Sequence, residues 1–121
     1  MMRYPSFAIA LASVALATAP ASAHAFLDHS VPAVGSTVHQ PPAEIRIWFT
    51  QALEPLFSSI KLSDDKGAAI ATGPARADAQ DKSVLVLKLP PLKPGGYRVQ
   101  WHALSVDTHV TQGDFNFTVA P

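Results

Sequence analysis

The segment EIRIWFT, from Glu44 to Thr50, decides the fold class because its apolar residues occur at every second position. Ile45, Ile47 and Phe49 would share one face of an extended strand, and the residues between them would share the other. This period of two is typical of a β-strand that covers a core on one side. The segment therefore predicts a sheet rather than a helix.

Six further runs of this kind lie on both sides of the segment, and turns rich in Pro and Gly separate them. They are AFLDHS (25–30), SSIKLSD (58–64), AAIA (68–71), SVLVLKLP (83–90), YRVQWHALSV (97–106) and DFNFTV (114–119). The polar stretch TGPARADAQDKS (72–83) is predicted to be an exposed loop. No helical periodicity interrupts the runs, so the sequence predicts an all-β, immunoglobulin-like, seven-stranded Greek-key sandwich or barrel.

The first 23 residues have the three-part layout of a secretory signal peptide. A basic start with Arg3 precedes the apolar run FAIALASVALATA (7–19), which ends in the small residues ASA (21–23). The run is shorter than the roughly 20 residues that a membrane-spanning helix needs. We expect cleavage after Ala23, a mature domain of residues 24–121 and a periplasmic location. A competing cleavage after Ala25 would remove residue 24.

The composition of the predicted mature domain limits the partners and the metal ligands that can be expected. Loss of Arg3 would leave eight basic and nine acidic side chains without any basic run, so no nucleic-acid or membrane-surface partner is expected. There is no cysteine, so the core alone must stabilise the fold. The only methionines are Met1 and Met2, and the mature chain would therefore contain no sulfur.

His24 would become the first residue of the mature chain. Its ring Nδ1 and its free α-amine could then hold one metal ion in a six-membered chelate, which an internal histidine cannot do because its nitrogen is an amide. The α-amine has a pKa near 7.7–8.0, so a metal can displace its proton at neutral pH. Cleavage of the signal would thus create half of a metal site.

Asp107 and His109, in the segment SVDTHV (105–110), could supply the other half. In an extended strand, residues two apart project from the same face, roughly 6–7 Å apart. Each feature alone is common in proteins without a metal, but the two together favour a site formed by His24, Asp107 and His109. Its nitrogen and oxygen donors suit Cu(II), and the absence of thiolate and thioether ligands disfavours Cu(I).

The chain also resembles the CopC family of periplasmic copper-binding proteins along almost all of its mature length. The resemblance is carried by HAFLDHSVPAVGS (24–36), IRIWFT (45–50) and PLKPGGYRVQWHALSVDTHVTQGDFNFTV (91–119). Its most specific pattern comprises Trp101, Ser105, Asp107, His109, Gly113 and Phe117. The resemblance implies a small Greek-key β-barrel that binds Cu(II) through His24, Asp107 and His109.

Two departures from the family pattern concern the metal. Gln51 stands where many members carry an acidic residue, so Gln51, Glu54 or a water molecule is left open as a further ligand. The segment LSDDKGAAIAT (62–72) lacks the methionines with which some members bind Cu(I). Both departures are consistent with a member that binds Cu(II) only.

The remaining histidines and the aromatic residues have simpler interpretations. His102 and His29 have the opposite strand parity from the predicted ligands, so they are expected to be structural or exposed, and His39 is expected in a solvated loop. Ser105 could orient a ligand by hydrogen bonding. The large aromatic residues are expected in the core; they are Trp48, Phe49, Trp101, Phe115 and Phe117.

Three hypotheses about the function are consistent with these observations. The first is a monomeric, non-enzymatic periplasmic carrier or buffer of Cu(II), which sequesters copper or exchanges it with an inner-membrane transporter or a cuproenzyme. The second is a monooxygenase-like enzyme with a histidine-brace copper centre, disfavoured by the carboxylate ligand and the short chain. The third is a structural sandwich module without a metal.

Overall fold

The computed structural model describes residues 24–121, together with residues 2–6, 8, 10, 12 and 13. The cleavage motif and most of the apolar run of the predicted signal peptide lie outside the described residues, so the division into 1–23 and 24–121 stays a prediction. No described helix is long and apolar enough to cross a membrane.

Nine β-strands and one turn of 3₁₀-helix form the folded part. The strands are β1 (Leu27–Val31), β2 (Thr37–Val38), β3 (Glu44–Phe49), β4 (Ser59–Asp64), β5 (Ala69–Ile70), β6 (Arg76–Ala77), β7 (Val84–Lys88), β8 (Gly95–Leu104) and β9 (Val110–Val119), and the 3₁₀ turn is Pro55–Phe57. All seven runs predicted from the sequence form strands.

The strands form two sheets, in the orders β1-β3-β7-β6 and β2-β9-β8-β4-β5. Neighbouring strands are antiparallel except for β2 and β9, which are parallel. The long strands β8 and β9 pair along their whole lengths, from Gly95 opposite Val119 to Leu104 opposite Val110. The prediction of an all-β sandwich is confirmed.

The core lies between the sheets and follows the predicted alternation. In β3, the side chains of Ile45 and Ile47 are completely buried and Phe49 is nearly so. The inward residues of β8 and β9 meet them from the second sheet; these are Tyr97, Val99, Trp101, Ala103, Phe115, Phe117 and Val119. The hydrophobic effect of this burial stabilises a domain that has no disulfide.

Two predictions about the fold need correction. The stretch 72–83 is largely exposed, but it contains β6, which pairs with β7. Trp48 is not a core residue: it lies on the outer face of β3, where the His29 ring stacks on it with centroids 4.3 Å apart. The parity of the strand, rather than the size of the aromatic ring, determines where Trp48 points.

Candidate metal centre

Three segments meet at one end of the sandwich: the residues before β1, the residues after β3 and the β8–β9 turn. The backbone N–H of Thr50 donates to the carbonyl of Phe26 at 2.9 Å, which joins the first two segments. The N–H of Val106 donates to the carbonyl of Ala52 at 3.1 Å, which joins the second to the turn. These contacts bring His24 close to Asp107 and His109, which lie more than 80 positions later in the sequence.

The three predicted ligands lie together at this end. The rings of His24 and His109 are in edge contact, with centroids 4.5 Å apart and planes at 86°. Asp107 Oδ2 lies 3.3 Å from His109 Nδ1, a close polar contact that lacks hydrogen-bond geometry. His109 is about half exposed, at 53% of its side chain, so its ring is accessible from solvent and has room to reorient.

The route by which Asp107 and His109 approach each other differs from the prediction. They do not lie on one extended strand, because β8 ends at Leu104 and β9 begins at Val110. They flank Thr108, whose φ of 73° places it in the left-handed region, which is a rare conformation for a β-branched residue. The tight turn, rather than strand parity, brings the two side chains together.

Ser105 organises this turn from a fully buried position. Its hydroxyl donates to Asp107 Oδ1 and also lies 3.1 Å from the carbonyl of His109, to which its backbone N–H donates at 3.0 Å. The Ser105 hydroxyl, with a further contribution from the adjacent His109, holds the pKa of the Asp107 carboxyl below its usual value, although burial acts in the opposite direction. Asp107 is therefore anionic at neutral pH, as a metal ligand must be.

Two polar atoms at this site are buried without a hydrogen-bond partner: His24 Nδ1 and Asp107 Oδ2. Buried polar atoms are normally paired, so each of these two atoms has capacity for a further partner, although Asp107 Oδ2 already contacts His109 Nδ1 at 3.3 Å. Both are lone-pair donors suited to a metal ion. Among the described residues, however, no three His, Asp or Glu side chains are already arranged to hold one.

The other three histidines and Glu54 are all exposed. His102 and His39 are exposed, and His29 is exposed beside Asp28, with Nδ1 2.5 Å from Oδ2. These three positions agree with their predicted roles. Glu54 is exposed, and the hydrogen bonds found for it involve its own backbone groups: its N–H donates to the carbonyl of Leu104 at 2.8 Å, and its carbonyl accepts from the Ser58 hydroxyl at 2.8 Å.

Sequence reasoning missed two threonines that touch the N-terminal segment. The hydroxyl of Thr50 donates to the carbonyl of His24 at 3.2 Å, and the hydroxyl of Thr111 donates to the carbonyl of Ala25. Strand alternation does not distinguish either from any other threonine.

Two hollows, of about 640 and 580 Å³, lie on the second sheet, and neither includes His24, Asp107 or His109.

Comparison with known proteins gives consistent matches along the folded domain. The family model of the CopC domain matches residues 27–120. Protein YobA of Escherichia coli K12 is 39% identical over 114 residues, which cover 93% of this chain and 92% of that protein. Copper resistance protein C of Xanthomonas campestris pv. juglandis is 35% identical over 117 residues, covering 92% and 91% of the two chains.

Solved structures show the same architecture. CopC from Methylosinus trichosporium OB3b matches with a TM-score of 0.77 and 34% identity, over 81% of this chain and 95% of that one. PcoC, a methionine-rich copper resistance protein from Escherichia coli, matches with a TM-score of 0.73 and 35% identity, over 80% and 99%. Both likenesses extend over nearly the whole of the solved chains.

Proposed function

The chain belongs to the CopC family, as its motifs predicted, and from that premise we propose that it is a copper-binding protein of copper homeostasis and resistance. The relatives whose names state a role are copper resistance and copper transport proteins. The signal-like N-terminus supports a periplasmic location for the mature domain. Copper would be the cargo of the protein, which holds it and passes it on.

The ligands in this proposal are His24, through its α-amine and ring Nδ1, together with Asp107 and His109. The observation that carries it is a pair of buried atoms without a hydrogen bond, His24 Nδ1 and Asp107 Oδ2, beside an accessible His109 ring. A metal ion bound between them would bond to both atoms. It would thereby remove the cost of burying each of them without a hydrogen bond, which is about 1–3 kcal/mol per group.

Cu(II) is the oxidation state that this set of donors favours. Three nitrogens and one carboxylate oxygen suit tetragonal Cu(II), whereas Cu(I) prefers thiolate or thioether ligands. Residues 24–121 contain neither Cys nor Met. In this respect the domain differs from PcoC, which is described as methionine-rich. We therefore propose a site for Cu(II) only, with Gln51, Glu54 or water as the open choice for a further ligand.

We propose a carrier or buffer rather than an enzyme. A histidine-brace monooxygenase needs an accessible Cu(I) state, which a carboxylate ligand disfavours, and the chain is short for such an enzyme. The half-exposed His109 instead suits exchange of the ion with an acceptor, such as an inner-membrane copper transporter or a cuproenzyme. A monomer is the proposed form, since the domain has its own complete core.

The test is Cu(II) affinity, measured by competition with a chelator of known affinity on mature protein that begins at His24. His24→Ala, Asp107→Ala and His109→Ala should each weaken binding strongly. His102→Ala and His39→Ala are matched controls, since each removes an exposed imidazole away from the site, and both should bind like the wild type. Wild-type protein without Cu(II) affinity, or equal losses in the two control variants, would refute the proposed site.

A further inference from the structure

The N-terminal segment can chelate an ion only if it is held in place, because chain termini are usually poorly ordered. Two observations show how residues 24–26 are held. Ala25 is completely buried in the core, directly behind His24. The carbonyls of His24 and Ala25 each accept a hydrogen bond from a threonine hydroxyl, Thr50 for the first and Thr111 for the second.

The two threonines come from different sheets. Thr50 follows the last residue of β3 in the first sheet, and Thr111 is the second residue of β9 in the second. Thr50 acts twice, since its Oγ1 also accepts the N–H of Phe26 at 3.0 Å. The segment is thereby tied to both layers of the sandwich immediately after the residue that would chelate the ion.

We propose that Thr50 and Thr111 are positioning residues that fix the N-terminal segment so that the amine and ring of His24 face Asp107 and His109. We call this pair the threonine clamp. The inference rests on the proposed function, since it assigns the clamp to the same copper site. Neither threonine touches the ion; each acts through the backbone of the residue that it holds.

The physical basis is preorganisation. Fixing a backbone residue costs conformational entropy, and a segment already fixed in the folded apo protein does not incur that cost when the ion binds. Thr111 should matter more than Thr50, because its hydrogen bond is partly buried while those of Thr50 are exposed to water. Water can replace an exposed hydrogen bond at little loss.

Thr→Val tests the clamp, because it removes the hydroxyl and keeps the branched shape. We expect Thr111→Val to weaken Cu(II) binding about three- to tenfold, Thr50→Val by less, and the double variant by more than either. Thr→Ser at each position keeps the hydroxyl and should restore most of the affinity. Thr118→Val is the control, an exposed threonine on the same strand at the opposite end of the domain.

Two further readouts separate positioning from general stability. The Cu(II) electron paramagnetic resonance spectrum of the double variant should differ from the wild type. In the metal-free protein, hydrogen exchange at residue 26 should accelerate while the core amides of β8 keep their protection. A double variant that binds Cu(II) with wild-type affinity and spectrum would overturn the clamp, as would an equal loss in Thr118→Val. Wild-type protein that fails to bind Cu(II) would instead overturn the proposed function.

Discussion

Gly113→Ala should destabilise the fold through a single steric clash. Gly113 lies opposite Trp101 in the β8–β9 pair. A Cβ atom at residue 113 would lie 2.6 Å from Trp101 Cζ2 and 2.8 Å from Cε2, well inside van der Waals contact. The indole has little room to yield, because Trp101 is only 8% exposed and its ring packs edge-on against Phe49 with centroids 5.3 Å apart.

The size of the effect follows from the packing. Adding a methyl group to a filled core costs about 1–3 kcal/mol in the free energy of unfolding. For a domain of this size, each kcal/mol lowers Tm by roughly 4–8 °C. We therefore expect Gly113→Ala to lower Tm by about 4–24 °C, measured by circular dichroism on the metal-free protein.

Two variants make the result decisive. Gly73→Ala is the matched control, since a Cβ at residue 73 meets nothing within 4 Å, and it should change Tm by little. Trp101→Phe removes the indole atoms that clash, so Gly113→Ala should cost much less in that background, with a coupling energy of about 1 kcal/mol or more. If Gly113→Ala lowers Tm no more than Gly73→Ala, the reasoning is wrong.

Two further predictions concern charged groups. Ser105→Ala should raise the pKa of Asp107 toward its ordinary value, because the hydroxyl that stabilises the carboxylate is lost; carboxyl chemical shifts of the metal-free protein against pH measure this, and an unchanged titration would contradict it. Arg46 donates to Asp78 at 2.7 Å and lowers the pKa of that carboxyl, with the backbone N–H of Gln80 adding to the effect. The contact between Arg46 and Asp78 stabilises the fold fully at pH values above the pKa of Asp78 in the unfolded chain, near 3.8. This stabilisation is lost as the pH falls through the lower pKa that Asp78 has in the folded protein. Arg46→Met should therefore reduce the loss of stability on acidification, measured by urea unfolding between pH ~6 and ~3, and an identical pH dependence in the variant would count against it.

The alternation of apolar residues predicted the seven main strands because burial between two sheets imposes a period of two on each. It could not predict β2 and β6, because each has only two residues and lies outside the apolar runs, whereas the equally short β5 falls within the apolar run AAIA. The placement of Trp48 in the core failed for a related reason: ring size was weighed above strand parity, and the parity of β3 put the ring on the outer face.

The sequence predicted the residues of the candidate site, and that assignment stays a prediction, but it did not predict how they approach each other. The spacing of Asp107 and His109 pointed to a shared face, yet they meet across a turn set by the left-handed Thr108. Short sequence patterns do not specify such a turn, and they carry no signal for contacts between distant segments, such as Thr111 with Ala25. The chemistry of side chains could be predicted from their identities, whereas their convergence depends on the packing of three separate segments.

The proposed copper site depends on a free terminal amine at His24. The most direct measurement compares Cu(II) affinity between protein that begins at His24 and protein that carries one additional alanine before it. The added residue leaves every side chain in place and converts the amine of His24 into an amide. We predict that affinity falls at least about tenfold and that the resonance spectrum of the bound ion changes. Equal affinity and identical spectra in the two proteins would show that the amine of His24 is not a ligand.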